Sequence, residues 1–265
     1  MEAAMNEVNN TLFIPLYGKA KVSRQGIILK DPAAERIWSA ESFPIRGKSR
    51  SRWLAYNMAM RARVFDDWTD AMLRKHPEAL VIHIGCGLDS RFERVQSFYS
   101  NWVDCDLPEV IDIRKKYYDE SDRYHMMTLD ASDPRQIGNL PESDTAIVAL
   151  EGLTMYLTND EVRDLFRALE TRYRNVRILA DFYTEFGAKA SRFKNPVNEV
   201  GVTQLYGLDD PAKILQGLRL HIRKEHTFTP ARLIGELSPA ERIVFRMLFT
   251  GGMYRRIYRL FSFTT

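Results

Sequence analysis

The sequence predicts an α/β fold: a mostly parallel, seven-stranded sheet with helices on both faces and a helical cap at the N-terminus. Three observations predict it. Short apolar runs recur at 80–84, 102–106, 124–129, 145–150 and 176–182, with helix-periodic segments between several of them. Strand, helix and strand in series mean parallel pairing through right-handed crossovers. The runs are continuous in apolar residues rather than alternating, as strands covered on both faces must be. The first eighty residues, by contrast, read helical. This places a cap and lid segment of residues 1–78 before a ligand-binding α/β domain of residues 79–265, the two forming one compact unit.

The elements follow in order. "KDPAAERIWSA" (30–40) offers Asp31 as N-cap and Pro32 at the first helical position, where proline lacks only an N–H that would be orphaned anyway. "SRWLAYNMAMRARVFDDWTDAMLRKHP" (51–77) carries apolar residues at three- and four-residue spacing, with room for a break, and Pro77 ends it. "PEVIDIRKKYYDE" (108–120) opens a helix with Pro108, and "TNDEVRDLFRALETRYR" (158–174) opens one with a capping box from Thr158 to Glu161. "GLDDPAKILQGL" (207–218) reads as a helix. "LHIRKEHTF" (220–228) and "MYRRIYRLFSF" (253–263) read as a closing strand pair. Between them, "SPAERIVFRMLF" (238–249) has the helix-start residues Ser238, Pro239 and Glu241.

Composition excludes several classes. The net charge of +3 is small, and its clusters at 45–53 and 254–261 are not long unbroken basic blocks, so no nucleic-acid or membrane partner is expected. No apolar run approaches the ~18 residues of a membrane span. "MEAAMNEVNNTLF" lacks a basic start followed by an apolar core, so no signal peptide is expected and a cytoplasmic location is the default. The two cysteines, Cys86 and Cys105, sit in apolar strand-like contexts and suggest no disulfide scaffold. The five histidines form no metal-ligand spacing, so no metal is expected, and His83 inside the first strand reads as a core histidine.

Ligands of open α/β sheets sit at the carboxyl ends of strands. Here the first strand runs into Gly85-Cys86-Gly87, and the later ones end at Asp106, Asp130, Glu151 and Asp181. A dinucleotide fingerprint wants a third glycine where Ser90 stands, and Asp89, Asp130 and Glu151 suit a pyrophosphate badly. No Gly-Lys-Ser/Thr follows the turn, which excludes a P-loop. S-adenosylmethionine fits better: it has a ribose diol, an exocyclic amine, an ammonium and a sulfonium, and no phosphate. An ionised carboxylate accepts two hydroxyl donors, and another pairs with an ammonium. The glycines let backbone approach the methionine part without a Cβ in the way.

The motifs "VIHIGCGLDSRFERV", "WVDCDLPEVIDIRKKYY", "LDASD" and "ALEGLTMYL" resemble the leucine carboxyl methyltransferase family, especially its bacterial branch of polyketide O-methyltransferases. The resemblance is specific from about Arg61 to Tyr183 and looser through 195–211. It implies a class I methyltransferase (Rossmann-like) fold with S-adenosylmethionine as donor and S-adenosylhomocysteine as product. Residue by residue, it implies that an arginine before the first strand holds the methionine carboxylate, with Arg63 the best match and Arg61 the second. It implies that Gly85, Cys86 and Gly87 form the turn under the methionine part, and that Asp106 with Leu107 binds the ribose. Asp130, with Leu129 and Ala131 beside it, would read the adenine edge. Glu151 with Gly152 would face the amino group, and Tyr156 would follow near the methyl. One departure is Ser90, where the family commonly has threonine.

Methyl transfer from a sulfonium is an in-line displacement that needs alignment above all. A carboxylate acceptor needs no base, whereas a hydroxyl acceptor benefits from one. Tyr156 and Tyr183 are the catalytic candidates, with Asp181 and Glu185 as further strand-end candidates. The basic cluster Arg46, Lys48, Arg50 and Arg52 could anchor an acidic acceptor from the cap. The expected activity is O-methylation of a small-molecule acceptor, a carboxylate or a hydroxyl. The rivals are a nucleotide-cofactor oxidoreductase and a non-catalytic S-adenosylmethionine-binding protein. Asp106 before Leu-Pro is also a helix N-cap candidate, and Asp130 in "DASDP" is also a turn residue.

Overall fold

A computed structural model describes residues 12–40, 50–194 and 205–265, with the side chains of 192–194 not described. The first eleven residues, Arg46 and Lys48 of the basic cluster, and most of the looser match at 195–211 lie outside the described residues.

The centre is a seven-stranded sheet of order β3-β2-β1-β4-β5-β7-β6. Its strands are β1 (Leu80–Ile84), β2 (Asn101–Asp106), β3 (Tyr124–Thr128), β4 (Thr145–Leu150), β5 (Asn175–Tyr183), β6 (His221–His226) and β7 (Tyr258–Thr264). The first five run parallel, and β7 enters antiparallel between β5 and β6. The expected closing strand pair is therefore present at one edge.

The continuous apolar runs have their reason in two cores, one on each face. On β1, Val81 joins one core, while Leu80, Ile82 and Ile84 join the other. On β4, Ile147 and Ala149 face one way and Ala146, Val148 and Leu150 the other. Successive side chains of a strand point to opposite faces, so both registers must be apolar. The first core also contains the cap helices α1 (Phe13–Arg24), α2 (Pro32–Ala40) and α3 (Arg52–Leu73). α3 is one unbroken helix.

After β1 comes a four-residue helix, α4 (Arg91–Arg94), then α5 (Pro108–Arg114) after β2 and α6 (Asn159–Arg172) after β4. α6 starts on the expected capping box: Glu161 N–H donates to Thr158 Oγ1 at 3.2 Å, and Thr158 N–H to Glu161 Oε2 at 2.7 Å. The C-terminal part adds α7 (Glu185–Lys194), α8 (Ala231–Ile234), α9 (Pro239–Phe249) and α10 (Gly251–Arg255). α9 carries the Ser238–Glu241 capping box.

Three expected elements differ. The helix expected over 108–120 ends at Arg114, whose side chain turns inward and donates to Tyr124 Oη at 3.1 Å and to Asp104. The helix expected over 207–218 is a short 3-10 turn, Pro211–Leu215. There the chain crosses so close to β5 that a Cβ on Gly207 would lie 2.3 Å from the Thr184 carbonyl. The strand expected over 253–263 begins only at Tyr258, because a helical turn first brings Tyr254 against Asn57 of α3.

Candidate active site

β1 is buried along its whole length and delivers the chain to the sheet's carboxyl edge, where Gly85 and Gly87 take φ values of +72° and +52°. L-residues avoid that region. Space forbids a side chain as well, since a Cβ on Gly87 would lie 2.9 Å from Leu12 Cδ2 of the segment entering α1. The turn is braced from both sides. Gly87 N–H donates to Asp106 Oδ2 at 2.8 Å, and its carbonyl accepts from Arg114 Nη1 at 2.8 Å.

Above this turn lies a cavity that opens to solvent at its mouth. Gly85, Cys86, Gly87, Arg61, Glu151 and Gly152 line it, and so do the catalytic candidates Tyr156 and Tyr183. His83 forms part of the wall as a buried histidine that bonds to Arg91 Nη1 at 2.9 Å through Nε2. Burial and the Arg91 charge hold its imidazole below the usual histidine range, so it is neutral at pH 7.

The two arginine candidates separate cleanly. Arg61 is buried in the cavity wall, whereas Arg63 points away and donates from Nε to Asp67 Oδ1 at 2.9 Å on the outer face. Residues two apart on a helix diverge by about 200°, so only one can face the site. A signal for the choice was present in the sequence. Arg63, Asp67, Asp70 and Arg74 recur at helical spacing as an all-polar stripe, and the structure leaves each of them at least partly exposed.

Glu151 accepts from Arg61 Nε at 2.8 Å and from Arg91 Nη2. Burial alone would raise its carboxyl, but the Arg61 and Arg91 charges outweigh burial and hold it below the usual carboxylate range. Asp181 is fully buried beneath this pair. It accepts from Gly152 N–H at 2.8 Å and from Tyr258 Oη at 2.5 Å. Burial pushes it up to about 6 against the pull of Arg61 and Tyr258. Glu185 is exposed at the start of α7, outside the cavity wall.

Asp106, Leu107, Leu129, Asp130 and Ala131 do not line the cavity; they form the neighbouring strand-end rim beyond Gly87. Asp106 and Thr128 are register partners, and Leu129 N–H bonds to the Asp106 carbonyl at 2.8 Å, so the ends of β2 and β3 sit side by side. Asp106 accepts from the Gly87 and Leu107 N–H groups, each at 2.8 Å. Burial pushes its carboxyl up to about 6, with the two backbone bonds pulling the other way. Asp130 accepts from Ser132 N–H at 2.9 Å and from Ser132 Oγ at 2.7 Å, so it does serve as a turn residue.

Several charged residues were not singled out from the sequence. Lys19 of α1 lines the cavity and pairs with Asp89. Arg91 also donates to Asp66 at 2.9 Å, and Arg94 reaches Asp66, Asp31 and Asp89, each at 2.8 to 2.9 Å at its nearest. Ser90 Oγ donates to Asp31 Oδ1 at 2.7 Å. Asp31 meanwhile caps α2 by accepting from Ala34 N–H at 2.8 Å. The Asp-Ser-Arg run after the glycine turn therefore ties the turn to α2 and α3. Of the described part of the basic cluster, Arg52 is largely exposed and reaches Glu241 at 3.5 Å. Arg255 and Arg259 share Glu225 of β6.

The sequence matches the leucine carboxyl methyltransferase family over residues 12–170. It is 26% identical over 265 residues to the tetracenomycin polyketide synthesis O-methyltransferase TcmP of Streptomyces glaucescens, covering 97% of this chain and 96% of that protein. It is 27% identical over 236 residues to the S-adenosyl-L-methionine-dependent methyltransferase dpfgK of Gibberella zeae, covering 80% and 79%. Among solved structures, the magnesium protoporphyrin IX methyltransferase of Synechocystis PCC 6803 with bound S-adenosylhomocysteine superposes with a TM-score of 0.51. That match covers 88% of this chain and 92% of that one at 13% identity, a likeness of fold.

Proposed function

Because the chain belongs to the leucine carboxyl methyltransferase family, we propose that its cavity brings an apolar, polyketide-like small molecule to S-adenosylmethionine and methylates it on oxygen, at a carboxylate or a hydroxyl. The protein is an S-adenosylmethionine-dependent methyltransferase of class I fold. The oxidoreductase reading falls with that membership.

The observation that carries the reading is the donor set around the glycine turn. Two cations, Lys19 and Arg61, stand in the cavity wall, and the Asp106 carboxylate stands beyond Gly87. A zwitterionic amino acid joined to a ribose matches this set, with carboxylate toward the cations and diol toward Asp106. A Cβ at Gly87 would lie 2.9 Å from Leu12 Cδ2, so the turn between them carries no side chain. In this reading Leu129, Asp130 and Ala131 take the adenine edge, and Glu151 takes the ammonium. When bound, the sulfonium supplies an already activated methyl group. The protein's own residues then orient and desolvate. Leu54, Met58, Met155 and Leu205 with Tyr156 and Tyr183 give the remaining wall an apolar, aromatic character that suits a flat organic acceptor and excludes water. Tyr156 and Tyr183 are the residues we assign to the acceptor oxygen. Alignment in such a site accounts for the larger share of the rate, since a carboxylate or phenolate nucleophile needs no strong base.

The test is methyl transfer from radiolabelled S-adenosylmethionine to a panel of aromatic carboxylic acids and phenols. Label on oxygen, as ester or ether, supports the proposal. Label on nitrogen or carbon, or binding of S-adenosylhomocysteine with no transfer to any member, overturns it.

A further inference from the structure

The Arg61 side chain has a second anchor that the reading above does not use. Tyr258 opens β7 and is buried. Its hydroxyl accepts from Arg61 Nη1 at 2.9 Å and donates to Asp181 Oδ2 at 2.5 Å. The other oxygen of Asp181 accepts from Gly152 N–H at 2.8 Å. Arg61 Nε is taken by Glu151 at 2.8 Å. Nη2 makes no hydrogen bond among the described residues and lies over Gly152, where a Cβ would come within 3.1 Å of it. A guanidinium is planar, so fixing Nε and Nη1 fixes the direction in which Nη2 points.

We infer that Tyr258, itself held by Asp181, is a positioning residue for methyl transfer: it sets the Arg61 guanidinium so that Nη2 meets the carboxylate of the bound methionine part. This rests on the proposed role of Arg61 as the carboxylate anchor. A phenol is the side chain the position needs. It accepts from a cation on one side and donates to a buried carboxylate on the other, which neither phenylalanine nor a third acid could do. Asp181 gains that donor on the oxygen that also faces Arg61 Nη1 at 3.4 Å, so the phenol completes the hold on the guanidinium. The cofactor's carboxylate thus meets a donor whose orientation is settled before binding.

The experiment compares two probes in calorimetric titrations: S-adenosylhomocysteine, and 5′-methylthioadenosine, which is a nucleoside of the same kind without the amino-acid end. Tyr258→Phe keeps the ring stacked on Phe228 at 4.5 Å and against Tyr183 at 4.7 Å, so the packing survives. It is expected to weaken S-adenosylhomocysteine by about tenfold and methylthioadenosine by less than about twofold, as loss of one bond to a charged group would. Asp181→Asn removes the charge that holds both the phenol and, at 3.4 Å, Arg61 Nη1, so it shows the same selectivity and carries the comparison should Tyr258→Phe not fold. In an Arg61→Ala background, Tyr258→Phe adds nothing further. Equal loss on both probes, or no loss on either while Arg61→Ala still weakens S-adenosylhomocysteine, overturns the inference. An Arg61→Ala variant that binds S-adenosylhomocysteine normally overturns the anchor role itself.

Discussion

The carboxylates at the ends of β2 and β3 and those at the ends of β4 and β5 look alike in the sequence, yet they are held in opposite ways. Glu151 and Asp181 are engaged by side chains from distant parts of the chain: Arg61 of α3, Arg91 of α4 and Tyr258 of β7. Asp106 and Asp130 bond instead to loop residues beside them, Gly87 and Leu107 for the first and Ser132 for the second. A carboxylate oxygen has two acceptor sites, so one bonded to a single N–H can still take a ligand hydroxyl. The rim is oriented but open to donors. The wall is a joint between cap and sheet, and breaking it leaves charges stranded.

Ways to break that comparison follow, from the largest effect down. Arg91→Ala takes one of two cations from each of Glu151 and Asp66, leaving Arg61 on the first and Arg94 on the second, and should cost up to about 3 kcal/mol of stability in urea titrations. A loss under 1 kcal/mol, roughly that of an exposed pair, would mean the wall is no joint at all. Asp106→Ala should instead spare the fold and weaken S-adenosylhomocysteine binding by about 1.5–3 kcal/mol, read by calorimetry. A variant that melts early yet binds normally would move Asp106 to the structural side.

The two regions also separate by pH. Asp181 titrates at about 6 in the fold, against ~3.9 in an unfolded chain. The folded state therefore takes up the proton first as pH falls. Its contribution to stability is fully present below about pH 4 and is lost as pH rises through about 6. Relative to Asp181→Asn, the natural protein should gain stability between pH 7 and pH 4 in thermal melts; a difference that stays flat with pH contradicts the assignment. Glu151, held low by Arg61 and Arg91, has the opposite sign: its contribution is lost only in stronger acid. The smallest effect belongs to Arg63→Ala. The outer-face pair with Asp67 should be worth no more than about 1 kcal/mol to the fold. Binding of S-adenosylhomocysteine should not change, and a clear loss there would reinstate Arg63 at the site.

The sheet and the rim were legible because their signals are local. Five apolar runs, a glycine turn and an acid at each strand end can be read within a few residues of one another. The wall was not. Lys19, Arg91 and Arg94 sit on helices, where charge ordinarily means solvent, and their partners Asp31, Asp66 and Asp89 become visible only once α1, α2 and α3 close over the turn. The start of β7 was misread for a related reason. "MYRRIYRLFSF" has the look of one strand, and only the docking of Tyr254 on Asn57 divides it into a helical turn and a strand.

The antiparallel entry of β7 between β5 and β6 has a consequence for biosynthesis. Arg61, Glu151 and Asp181 leave the ribosome well before Tyr258, and β5 waits for its antiparallel neighbour until β7 emerges. A nascent chain can collapse around its first five strands but not yet orient its guanidinium, so competence arrives late and all at once. Ribosome-stalled chains ending before 258 should accordingly resist protease in the early strands while failing to retain the nucleoside.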